Sequence, residues 1–177
     1  MVRNCTKATK PKSMTLSAAY ATQADLPVVS TAFEEVLLAI PYYNDLAKKT
    51  ELEKYSLPAL VNKLQDDPYS ILLIKEGNQI AAFCFSRFDD YTIWLEWFGI
   101  TAAFRGRHLS DVLLPKLEEA ATARGCHKIW CDSRTANVQS IHILLKQGCE
   151  KIALLQNHWY SQDFFLWQKF LPHAAAL

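Results

Sequence analysis

The chain has 177 residues, half of them hydrophobic and 21% charged, which is the balance of one ordinary globular domain with a full core. A net charge of +1 argues against a nucleic-acid footprint, and no apolar run approaches the roughly 18 residues that span a bilayer. The N-terminus lacks the apolar stretch of a signal peptide. The five cysteines, an odd count with no C-x-x-C pair, fit the reduced thiols of a cytoplasmic protein.

Residues 1–13 carry Arg3, Lys7, Lys10 and Lys12 with almost no apolar side chain, and read as a disordered tail. One domain then fills residues 14–177. A first strand is expected over Thr15–Tyr20. Thr22 and Asp25 form a helix-start signature before Val28-Val29 and Phe33-Val36-Leu37-Ile40, which have helical spacing, and Pro41 ends that helix. A shorter helix is expected over Leu57–Leu64. Ser70–Lys75 and Gln79–Arg87 are strand-like runs around the hairpin signal Glu76-Gly77-Asn78.

Asp89-Asp90 turns the chain into a strand over Thr92–Ile100. A helix over Leu109–Arg124 and a strand over Lys128–Asp132 follow. The next helix, Val138–Lys146, has Asn137 as its N-cap and Gly148 beyond its end. Ile152–Leu155 and Phe164–Phe170 are the last strands. The order is β, α, α, β, β, β, α, β, α, β, β, an α/β domain without repeats or linkers.

The turn Arg105-Gly106-Arg107-His108-Leu109-Ser110 joins a strand to a helix. The first N–H groups of a helix have no intrahelical partner and attract anions, and two arginines add charge there. Neither G-x-x-x-x-G-K-[ST] nor G-x-G-x-x-G occurs, so nucleotide hydrolysis and dinucleotide binding lack their motifs, and no metal-ligand set is read.

This turn, with the element order, resembles the R/Q-x-x-G-x-G/A loop of the GNAT superfamily of acyl-CoA-dependent N-acyltransferases. His108 stands at the family's central glycine and Ser110 at its final small residue. Asn137-Val138-Gln139-Ser140 through Gly148-Cys149 is similar to the family's N-x-x-A-x-x-x-Y-x-x-x-G-F helix, with Leu144 in place of the tyrosine that often serves as general acid. The resemblance covers about Met14 to Leu171. It implies a mixed, splayed sheet flanked by helices and acetyl-CoA as co-substrate, without a metal. It also implies direct transfer to a primary amine of a small molecule or peptide. Phe98, Gly99 and Ile100 would offer backbone bonds to the pantetheine arm. Arg105, Gly106, Arg107, His108, Leu109 and Ser110 would hold the pyrophosphate, and Asn137 and Ser140 would line the arm. Homodimers are common in the family. His108 and Leu144 leave open a non-catalytic CoA-binding module of the same fold.

Transfer to an amine needs the neutral nucleophile. An alkylamine of pKa about 10.4 is neutral about one part in 2500 at pH 7, a deficit of about 4.6 kcal/mol, so a proton acceptor is the main chemical demand. Strand alternation puts Trp94, Glu96, Phe98 and Ile100 on one face, where a carboxylate between two aromatics is partly desolvated and its pKa raised. Glu96 is the candidate base. Its alternative is a strand carboxylate facing solvent or an arginine. Gly99 is read as a bulge that parts this strand from the next. Leu95-Glu96 and its distance to Arg105 resemble the diamine N-acetyltransferase branch, where a Glu at this position has been proposed as base. Tyr160 is the candidate acid, with an aromatic core anchor as its alternative. Acceptor specificity is assigned to Pro41–Lys63 and Gln156–Asp163.

Overall fold

The computed structural model describes residues 16–172; the tail expected over residues 1–13 lies outside them. The chain forms β1 (Ala18–Tyr20), α1 (Leu26–Leu38), α2 (Asp45–Lys54), α3 (Leu57–Asp66), β2 (Ile71–Glu76), β3 (Gln79–Asp89) and β4 (Thr92–Ile100). It continues through α4 (Ser110–Ala123), β5 (Lys128–Arg134), α5 (Val138–Lys146), β6 (Glu150–Leu155) and β7 (Phe164–Phe170). The Thr22/Asp25 signature is a capping box: the Asp25 carboxylate accepts from the Thr22 N–H at 2.8 Å, and a 3₁₀ turn leads into α1.

Helix α2 was not expected from the sequence. It buries only Ala47 and Glu51, so it has no apolar stripe for periodicity to detect. What starts it is local: the Asn44 carboxamide oxygen caps the Ala47 N–H at 2.8 Å.

The seven strands lie in the order β1-β2-β3-β4-β5-β7-β6. All neighbours are antiparallel except β4 and β5. Helices cover both faces. One core joins Ile93, Leu95, Leu113, Leu144 and Trp167 on the α4 side; the other joins Phe33, Leu60, Phe83 and Phe85 on the side of α1 and α3. Leu144, at the family's tyrosine position, is 1% exposed and packs in the first core, whereas its neighbour Leu145 is exposed.

Strand β4 pairs with β3 as far as Ile100, but with β5 only over Thr92–Trp94 against Lys128–Trp130. Beyond Trp94 its second edge is open. The register slips where Phe85 faces Trp97 and Ser86 faces Leu95, which makes Glu96 the extra residue of a bulge. The bulge expected at Gly99 is therefore at Glu96. It also splits the face expected for Trp94, Glu96, Phe98 and Ile100: Leu95 and Phe98 both pack on the α4 side, whereas Trp97 packs against Phe33. Gly99 answers a different demand. A Cβ there would lie 2.4 Å from Cζ of Phe83, so the ring needs the vacancy. Gly99→Ala is expected to destabilise the fold by about 1–3 kcal/mol through displacement of that core ring. Urea denaturation measures this, and an unchanged midpoint would show that the ring does not hold the position.

Candidate active site

A cavity of about 470 Å³ opens where β4 and β5 part. At one end it is lined by Phe98, Gly99, Ile100, Arg105 and Gly106. The N–H groups of Gly106, Arg107, His108, Leu109 and Ser110 donate to no carbonyl or side chain of the described residues; helical bonding begins with the Asp111 N–H to the His108 carbonyl at 3.0 Å. Five free donors at a helix start make a nest for an anion. Gly106 has φ +77° and His108 φ +56°. His108 thus keeps the left-handed backbone that glycine adopts without strain, at a cost of roughly 1–3 kcal/mol, and its imidazole points to solvent, 3.8 Å from Asp111.

The two arginines of the loop differ. Arg105 is exposed and lines the cavity. Arg107 is turned away: its guanidinium pairs with Glu76 at 2.9 Å and lies over the Phe104 ring, so its contribution to the loop is its backbone N–H. Asn137 and Ser140 also line the cavity, but their polar groups are spent on each other. The Asn137 carboxamide accepts from the Ser140 N–H at 3.0 Å and donates to the Ser140 hydroxyl at 2.9 Å. Asn137 is the cap of α5.

At the other end, Glu96 forms an ion pair with Lys63 of α3 at 2.6 Å, with 8% of its side chain exposed. Its partner is thus a lysine, neither solvent nor arginine. The Tyr160 hydroxyl donates to Glu51 at 2.9 Å; burial and that bond push its pKa far above the ordinary tyrosine range. The second Glu51 oxygen accepts from the Trp97 indole at 2.9 Å. Asp132 accepts from the Trp159 indole at 2.9 Å. Burial raises its pKa, an effect that the Trp159 bond and the charges of His158 and Arg134 partly offset. Cys131 lines the cavity as well, with its thiol held well above the ordinary range by burial.

The model of the Acetyltransferase (GNAT) family matches residues 34–149, more than half of the chain. The chain belongs to the GNAT acetyltransferase family. An acetyltransferase of Pectobacterium atrosepticum is 29% identical over 107 residues, which cover 60% of this chain and 68% of that one. Among solved structures, the PaiA N-acetyltransferase of Thermoplasma acidophilum, in complex with coenzyme A, has a TM-score of 0.75 at 15% identity and covers 89% of this chain and 99% of its own. A phosphinothricin acetyltransferase of Sinorhizobium meliloti, in complex with acetyl-CoA, has a TM-score of 0.73 at 18% identity and covers 93% of each chain. These likenesses support the superfamily; they do not single out the diamine branch.

In this GNAT domain, of the residues expected around the cofactor, Phe98, Gly99, Ile100, Arg105, Gly106, Asn137 and Ser140 line one end of one cavity, whereas Arg107, His108, Leu109 and Ser110 do not line it. Glu96 and Tyr160 line the other end, together with Trp159 and with Tyr42, Tyr43 and Glu51 from the segments assigned to acceptor specificity. Asp89 and Asp90 sit at the β3–β4 turn and do not line the cavity. His127, His142 and His158 are exposed. Sequence reasoning missed Glu51, Asp132 and Arg134. Glu51 is on the unexpected helix, whereas Asp132 and Arg134 alternate along the end of β5, where charged residues at period two were a readable signal. Among the described residues no group of three metal-ligating side chains converges. The loop geometry yields a paired expectation: His108→Gly keeps acetyl-CoA affinity within about threefold, whereas His108→Val, which resists positive φ, weakens it at least about tenfold by calorimetry. Equal affinities would show that the left-handed backbone at this position is not required.

Proposed function

We propose that this acetyltransferase takes acetyl-CoA and passes the acetyl group directly to a primary amine in a ternary complex. The observation that carries the reading is the row of five free N–H groups over residues 106–110, which starts at Gly106 in the wall of the cavity that the unpaired edge of β4 also lines. The nest fits a pyrophosphate with Arg105 as its mobile charge, and the open edge of Phe98–Ile100 fits an amide-bearing arm. The coenzyme A and acetyl-CoA complexes of the two solved relatives support the same co-substrate.

For the proton, Asp132 is better suited than Glu96. Lys63 holds the Glu96 carboxylate as an ion pair, so that carboxylate is already engaged by a cation. Both oxygens of Glu51 accept from neutral donors. Asp132 lines the cavity, has one oxygen engaged by Trp159, and forms no ion pair among the described residues. The amine nitrogen attacks the thioester carbonyl and a C–N bond forms. The C–S bond then breaks, the thiolate leaves with the electron pair, and the amine proton goes to Asp132. Water protonates the thiolate, because the Tyr160 hydroxyl is occupied by Glu51. The likeness of Leu95-Glu96 to the diamine branch is not carried forward, since Lys63 already neutralises that carboxylate.

Asp132→Asn is expected to lower kcat about 10²–10³-fold and Glu96→Gln less than about tenfold. Because the base acts ionised and its pKa is raised, wild-type kcat/KM falls as pH drops through a value above the ordinary carboxylate range, and Asp132→Asn loses that limb. The reverse ranking of the two variants would return the role to Glu96. Direct transfer predicts that Cys131→Ser keeps activity within about threefold and that mass spectrometry finds no acetyl-enzyme; a trapped thioester on Cys131 contradicts it. His108 and Leu144 favour the second reading, a CoA-binding module without catalysis, which predicts calorimetric binding of acetyl-CoA and no turnover on any amine.

A further inference from the structure

Arg134 closes β5 with 6% of its surface exposed, and it lines the same cavity as Asp132. Its Nε donates to the Gln162 carboxamide oxygen at 2.7 Å. The Tyr43, Phe164 and Tyr160 rings lie 3.3, 4.9 and 5.6 Å from its guanidinium carbon. Aromatic faces answer the charge of a guanidinium across its plane, but its N–H bonds point outward within that plane. There the account is incomplete: Nη2 is buried and has no hydrogen-bond partner. No carboxylate of the described residues forms an ion pair with Arg134. A buried cation with an unanswered donor is costly unless something supplies an anion.

The position of Arg134 says which molecule supplies it. Two residues before it, on the same side of β5 and roughly 6–7 Å along the strand, stands Asp132. The amine that attacks beside Asp132 is neutral, as the transfer requires. A simple alkylamine would then leave Arg134 as it is, with a bare donor and no paired carboxylate. An amine that also carries a carboxylate would bring one negative charge and two acceptor oxygens, which a guanidinium edge binds with paired hydrogen bonds. We propose that the acceptor is an amine bearing a free carboxylate, of the amino-acid class, with its carboxylate on Arg134 and its amine at Asp132. This assignment rests on the acetyl-transfer reading above and names the substrate class of that site.

Arg134 also joins three segments of the acceptor wall. Gln162, which accepts from its Nε, donates to the Tyr42 carbonyl at 2.8 Å, linking β5, the stretch before β7 and the stretch before α2. A bracing role alone would lower stability and slow every acceptor equally. Carboxylate recognition changes the ratio between acceptors, so the ratio is the quantity to measure.

The experiment compares matched acceptors with the full chain and acetyl-CoA: leucine with isoamylamine and leucinamide, phenylalanine with phenethylamine and phenylalaninamide, tyrosine with tyramine. The wild type is expected to favour the free acid over its partners by at least about tenfold in kcat/KM. Arg134→Gln is expected to bring that ratio near one, and Arg134→Lys to keep part of it. Should Arg134→Gln fail to fold, the wild-type ratio still decides. Equal rates on acids, amides and amines overturn the assignment and leave acetyl transfer standing. Preference for the amides, as a peptide N-terminus would show, also overturns it. Acetyl-CoA bound without release of free thiol on any member of any set counts against both readings.

Discussion

Strand β4 is hydrogen-bonded to β3 along its whole length and to β5 along only three of its residues, and the site depends on that difference. Backbone N–H and C=O groups must find partners. When β5 turns away after Trp130, the later half of β4 presents unpaired groups to a cavity instead of to a strand. The bulge at Glu96 contributes to the parting, because an extra residue bends and twists the strand that carries it. It also turns Trp97 onto the helix face, where its indole reaches Glu51, and it directs Glu96 toward Lys63. One inserted residue thus contributes both to the opening of the cleft and to the partners of Glu51 and Glu96 in its wall.

The two ends of the cleft are built on different physics. The end proposed for the cofactor offers backbone: free N–H groups, a left-handed His108, and an open strand edge. Side-chain charge matters less there than the sequence suggests, since Arg107 is committed to Glu76 and Asn137 to Ser140. The end proposed for the acceptor is built of side chains brought from far apart in the chain. Tyr160 meets Glu51 across 109 residues, and Gln162 meets Tyr42 across 120. Asn44 caps α2 with its oxygen and donates to the Tyr160 carbonyl with its nitrogen, so the helix and the segment before β7 are fixed together.

That contrast explains what was legible beforehand. The strand Thr92–Ile100, the hairpin at Gly77, the Thr22/Asp25 box and the Asn137 cap are local signals, and the structure repeats them with small shifts of boundary. The strand-to-helix turn over Arg105–Ser110 was legible for the same reason. Helix α2 was not, because a helix with two buried residues has no stripe. The bulge was not, because a slip of one residue is decided by the partner strand and flips the faces beyond it. The Lys63 partner of Glu96 and the Glu76 partner of Arg107 lie 33 and 31 residues away and carry no mark in the sequence. Asp132 and Arg134 were passed over because β5 was ended at Asp132, two residues short.

The central claim is that the backbone of residues 106–110 is the anchor for acetyl-CoA. Backbone amide hydrogen exchange, read residue by residue with and without acetyl-CoA, tests it most directly. Saturating acetyl-CoA is expected to slow exchange at the N–H groups of Gly106 through Ser110 by at least about tenfold, with a smaller effect at Phe98–Ile100 and little change on β1 and β2. Binding that leaves Gly106–Ser110 unprotected would contradict the account, since the anion would then be held elsewhere.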